Sequence, residues 1–137
     1  MNRPQPDPQS LDLEHLFGPV LHTYSRAEAL EDGALVDVTS TAQEAGFRIP
    51  VALTRAVWES YVTVPAKVHA QDERGRLWDI LWMASLAARG NPNAQTVHFT
   101  VSVRNDNRHP RPRRLKAVVD GGNDGEAVIT ILLPDED

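Results

Sequence analysis

The sequence predicts one α+β domain: short N-terminal helices and one long core helix, packed on a C-terminal three-stranded antiparallel meander. Three observations predict it. The stretch from Asp72 to Gly90, DERGRLWDILWMASLAARG, sets Leu77, Trp78, Ile80, Leu81, Ala84 and Ala88 at helical spacing, and Trp82, Met83 and Leu86 widen the apolar face. Thr96 to Arg104 alternates, with Val97, Phe99, Val101 and Val103 on one side and His98, Thr100, Ser102 and Arg104 on the other, as a half-buried strand does. Two further apolar runs, Leu115 to Val119 and Ala127 to Leu133, flank the glycine-rich hairpin turn Asp120 to Gly125.

The elements follow in order. Met1 to Gln9 carries Pro4, Pro6 and Pro8, which predicts a disordered leader ahead of a domain at 10–137. Leu11 to Phe17 reads as a short helix with Ser10 as N-cap and Gly18-Pro19 as stop. Ser25 stands three residues before Glu28, the spacing of a capping box, and Gly33 supplies the stop, so Ser25 to Asp32 is predicted helical. Leu35 to Val38 follows as a short strand. Thr41 and Glu44 repeat the capping-box spacing for a further turn ending at Gly46. Pro50 suits the first position of a helix over Val51 to Tyr61, with Leu53, Val57 and Tyr61 on one face and Trp58 close by. Val62 to Ala70 reads as a strand or an irregular crossing.

From Leu77 to Ala88 only Asp79 and Ser85 are polar. A run of about 12 residues is short of the roughly 20 that span a bilayer, so it reads as a core helix. Gly90-Asn91-Pro92-Asn93 breaks it. Asn105 to Pro112 is a polar loop with two prolines. Ala127 to Leu133 shows little alternation, which points to burial on both faces and a central place in the sheet.

Composition narrows the function classes. The 137 residues suit one domain and are 41% hydrophobic. The absence of cysteine excludes disulfides, thiolate metal sites and thiol nucleophiles, and fits a reducing cytoplasm. The first residues lack an apolar run behind positive charge, so neither signal peptide nor membrane span is expected. A net charge of −5 disfavours binding nucleic acid over the whole surface.

Sequence motifs for catalysis are missing: there is no P-loop, dinucleotide fingerprint, serine elbow or HExxH. No cofactor and no metal site is expected. The histidines at 15, 22, 69, 98 and 109 do not pair at metal-ligand spacing on one predicted face. His98 is the best-placed imidazole, and reads first as an exposed strand residue. Asp79 sits among Leu77, Trp78, Ile80 and Leu81. It is either a carboxyl raised by burial, as a catalytic acid requires, or a solvent-edge residue meeting Arg76 or the helix dipole. Asp37, between Val36 and Val38, has the same two readings. Trp58, Trp78 and Trp82 read first as core, and otherwise as an interface anchor or a stacking platform for bases.

The clearest polar feature is Arg104 to Lys116, RNDNRHPRPRRLK. Arg104, Arg108, Arg111, Arg113, Arg114 and Lys116 stand against Asp106 alone, a local +5 that leaves −10 on the rest of a chain whose total is −5. An acidic body with one basic loop suits a partner bearing phosphates or carboxylates. These six residues are the predicted partner-binding set.

The strings YSRAEALEDGALVDV, EAGFRIPVALTRAVW, GRLWDILWM, VSVRNDNR and GEAVITILLPDED resemble a family of uncharacterised bacterial proteins, a domain of unknown function carried on plasmids and integrative mobile elements. The resemblance runs from Tyr24 to Asp137. It implies a cytoplasmic product of mobile DNA and carries no active site with it. By association it suggests action on a host defence machine such as a CRISPR effector. The expectation is therefore a non-enzymatic protein-binding module of mobile-element origin, an inhibitor or modulator of a host nucleic-acid-processing or defence complex. The alternatives are a nucleic-acid-binding accessory protein using Arg104 to Lys116, and a small enzyme using Asp37, Asp79 or His98.

Overall fold

The structure is a computed structural model that describes residues 24–137. The expected leader at 1–9 and the helix at Leu11 to Phe17 lie outside the described residues. The elements are α1 (Arg26–Asp32), β1 (Leu35–Asp37), α2 (Thr39–Glu44), β2 (Val51–Thr54), α3 (Arg55–Val57), a π-helical turn (Trp58–Val62), α4 (Glu73–Gly90), β3 (Thr96–Val103), β4 (Arg111–Gly121) and β5 (Ala127–Leu132).

The sheet corrects the sequence expectation. Among the described residues it has five strands in the order β1-β2-β5-β4-β3, not three. The pairs β3–β4, β4–β5 and β1–β2 are antiparallel, but β2 pairs β5 in parallel, so the sheet is mixed. The strand missed in the sequence is β2. Val51, Ala52 and Leu53 are fully buried and extended, with Val51 beside Ile129 and Leu53 beside Ile131. A short strand buried on both faces reads as an unbroken apolar run, which periodicity does not separate from a helix. Pro50 therefore opens no helix; its carbonyl accepts from the Ile129 N–H at 2.9 Å. Helix begins only after Thr54, whose hydroxyl accepts from the Val57 N–H. The segment then widens to π geometry and closes with the Thr63 N–H on the Trp58 carbonyl.

The caps divide. Ser25 and Glu28 form the predicted reciprocal capping box, and Gly33 ends α1 with φ +88°, a conformation that glycine adopts without steric cost. Thr41 caps nothing. α2 starts earlier, and Asp37 accepts from both the Thr39 N–H and the Thr39 hydroxyl. β5 lies between β2 and β4, the central place its poor alternation predicts.

One core lies on one side of the sheet. Val51 and Leu53 of β2, Val97, Phe99, Val101 and Val103 of β3, Leu115 of β4 and Ile129 and Ile131 of β5 meet Leu77, Ile80, Leu81 and Ala84 of α4 and Ala42 of α2. α4 packs chiefly along β3, the strand at one sheet edge.

Candidate functional site: the outer face of the long helix

Asp72 caps α4, its carboxylate accepting from the Gly75 N–H at 2.6 Å. One face of the helix buries Leu77, Ile80, Leu81, Ala84 and Ser85. At 100° per residue, Asp79, Trp82, Met83 and Leu86 fall at i, i+3, i+4 and i+7 on the opposite face. Trp82, Met83 and Leu86 are 38%, 36% and 42% exposed. The helix is thus apolar on its buried face and on much of its outer one.

The outer face has two flanks. Trp78 and Trp82 stack on the α2 side with ring centroids 6.0 Å apart and planes 12° from parallel, and the Arg89 guanidinium lies 5.5 Å from the Trp82 centroid. Trp78 borders a cleft shared with Thr41 and Glu44 of α2. Arg89 reaches over Gly46, where a Cβ would sit 2.9 Å from Nη2. On the other flank, Arg76 and Asp79 line a cleft against Val101 to Val103 of β3 and the following Arg104.

The expectation of a tryptophan core is corrected for Trp82, which is exposed. Trp58 and Trp78 are partly buried and pack against the core. The sequence holds the signal in Asp79: a lone carboxylate in an apolar helix marks its outward face, and the residues at helical spacing from it share that face.

Asp79 is exposed, and desolvation raises its pKa. Arg76, expected as its ion-pair partner, is instead buried. Its guanidinium donates to the carbonyls of Tyr61 and Arg104 at 2.8 and 2.9 Å and to the side-chain carbonyl of Asn105. Burial and then the nearby Arg104 charge lower its pKa.

Arg104 to Lys116 is not one loop. β4 begins at Arg111, and Arg111 to Arg114 pair with β3, while pairing with β5 starts only at Lys116. Arg111 and Arg113 stand opposite Val103 and Val101, and Arg114 stands opposite Thr100, so strand alternation divides the arginines between two faces. Arg104 donates to the His69 carbonyl, Asn107 holds Lys67 and His69, and Asn105 donates to the Ser60 carbonyl at 2.9 Å. The string RNDNR thus fastens the 60–69 connection to the sheet. Lys116 donates to the Glu136 carbonyl, and Arg111 lies 3.6 Å from Asp106 in an exposed ion pair. Arg108, Arg113 and Arg114 remain exposed.

The three candidate catalytic residues are not brought together. Asp37 lies on β1 and His98 on β3, at opposite edges of the sheet, and Asp79 lies on α4. His98 points away from the core-facing side chains of Val97 and Phe99. Among the described residues no group of three or more His, Asp or Glu is arranged to hold a metal ion, and no helix is long and apolar enough to cross a membrane.

A family model described as a family of unknown function, DUF6573, matches residues 16–137. No curated protein and no solved structure matches the chain.

Proposed function

We propose, of a chain that belongs to this family of unknown function, that it is a non-enzymatic protein-binding module whose partner docks on the α2-side flank of α4. The observation that carries this reading is Trp82, exposed on an apolar helix face, stacked on Trp78 and overlaid by Arg89. Tryptophan and arginine are the residues most enriched at interface hot spots. Trp78 and Arg89 hold the ring in place, which lowers the entropy lost on docking. The fitting partner offers an apolar pocket for the Trp82 ring with a carboxylate on its rim for Arg89. The finer reading is a cytoplasmic product of mobile DNA that modulates a host nucleic-acid-processing or defence complex. It rests on the sequence resemblance alone.

The test is co-purification from the native host with the wild type and the Trp82→Ala and Arg89→Ala variants, with folding checked by circular dichroism. One protein retained by the wild type and lost from both folded variants is the expected outcome. A partner retained by Trp82→Ala overturns the site, and nucleic acid as the only retained species overturns the class.

One observation favours a second reading, a nucleic-acid-binding accessory protein. The end of the β3–β4 ribbon carries Arg113 on one face and Arg114 on the other, and a two-stranded ribbon fits the major groove.

A further inference from the structure

Among the described residues β3 is the last strand on its side of the sheet. The Val119 N–H donates to the Gln95 carbonyl at 2.8 Å, which fixes the phase of the β3–β4 ladder. Val97, Phe99, Val101 and Val103 therefore exchange hydrogen bonds with β4, and the N–H and C=O groups of Thr96, His98, Thr100 and Ser102 point outward. Among the described residues no hydrogen bond reaches these outward groups.

Proteins protect such an edge with lysine, proline, a bulge or a short strand. β3 has none of these devices: TVHFTVSV is eight residues without Lys, Arg, Asp, Glu, Pro or Gly, in unbroken register with β4. α4, packed along β3, leaves Met83 exposed on the same flank as Arg76 and Asp79, which face this strand.

We infer that the β3 edge pairs with the β3 edge of a second copy of this chain, antiparallel about a two-fold axis at Thr100, joining two five-stranded sheets into one. The edge is self-complementary. Thr100 meets the second copy's Thr100, and His98 meets its Ser102, so polar groups face one another. On the other face Phe99 meets Val101 and Val97 meets Val103, continuing the apolar surface beneath the helices. No like charges oppose one another anywhere between Thr96 and Val103. A two-fold axis normal to the sheet also puts both copies of α4 on the same side, with their Met83 flanks toward each other. Three outward pairs, 98 with 102 twice and 100 with 100, supply about six backbone hydrogen bonds.

The surface is distinct from the Trp82 flank, so the two proposals fail separately. The experiment is sedimentation velocity and light scattering on the full chain at tens of micromolar, for the wild type, Thr100→Lys and Thr100→Pro. Thr100→Lys opposes two ammonium groups at the axis. Thr100→Pro removes an outward N–H that the β3–β4 ladder does not use. The expected result is twice the 15.2 kDa chain mass for the wild type and a dissociation constant raised at least tenfold in both variants, with Thr100→Lys keeping the wild-type circular dichroism spectrum. A monomeric wild type overturns the inference. So does a dimer that a folded Thr100→Lys leaves unchanged, whatever happens to Thr100→Pro. Trp82→Ala is expected to leave the dimer intact.

Discussion

Arg76 shows how a charged side chain serves as structure. It sits 5% exposed in the first turns of α4 and, among the described residues, has no carboxylate partner. Carbonyl oxygens from the π-helical turn and the end of β3 solvate it instead. Removing it leaves part-buried acceptors without their donor, which is more costly than losing an exposed hydrogen bond. Arg76→Ala is expected to destabilise by about 3 kcal/mol, read from urea unfolding, and to loosen the 60–71 connection in hydrogen exchange. Asp79 carries the opposite lesson. Desolvation raises its pKa, so the folded state binds this proton more tightly than the unfolded chain does. The stabilisation linked to protonation is present below the unfolded value and lost as pH rises through the folded one. Asp79→Asn is therefore expected to melt above the wild type at neutral pH, with the gap closing as pH falls into the carboxylate range. A gap that stays constant with pH would assign the effect to packing.

At the scale of the element, α4 separates apolar character from burial. Leu81 is 0% exposed and Trp82 beside it is 38% exposed. Leu81→Ala is expected to cost about 3 kcal/mol through lost transfer energy and the cavity left behind. Trp82→Ala is expected to cost clearly less than Leu81→Ala, because the ring is exposed, stacked on Trp78 and overlaid by Arg89. Paired thermal melts check this, and equal losses in the two variants would return Trp82 to the core and remove the docking surface. β4 makes a related point. Its arginine-rich start is a strand because β3 supplies a partner through Val103, even though Pro112 and the flanking Arg111, Arg113 and Arg114 read as loop. Proline is tolerated there because Pro112 lies ahead of the β5 ladder, which begins at Lys116.

At the scale of the molecule, charge decides between partners. The segment Arg104 to Lys116 is +5 and the remainder −10. Arg104 and Lys116 are engaged within the fold, and Arg111 faces Asp106, which leaves Arg108, Arg113 and Arg114 on the surface. At physiological salt the Debye length of about 8 Å limits but does not remove the repulsion of a polyanion by the acidic body. Weak DNA binding is expected in fluorescence anisotropy. If binding is tight, its log–log salt slope should flatten by roughly 2–3 units when Arg111, Arg113 and Arg114 are changed to Ala, at about −0.9 per phosphate. Sub-micromolar binding by the wild type that this triple change abolishes would promote the nucleic-acid reading over the protein partner.

Features that depend on neighbours in the chain were legible in the sequence itself. The Ser25–Glu28 box, the Gly33 stop, the α4 helix, the alternation of β3 and the hairpin into β5 all follow from local capping, periodicity and turn chemistry. Tertiary structure alone decided three things. Val51 to Thr54 became a strand because β5 offered a parallel partner far along the chain, and a parallel pair leaves no local signature. The basic segment was divided between two faces because β4 starts at Arg111, where cross-strand pairing overrides proline and charge. The apolar surplus of α4 was left on its outer face because one side of the sheet accommodates only one face of the helix. Periodicity reports which residues share a face; which face meets the core is set by contacts that the local pattern does not contain.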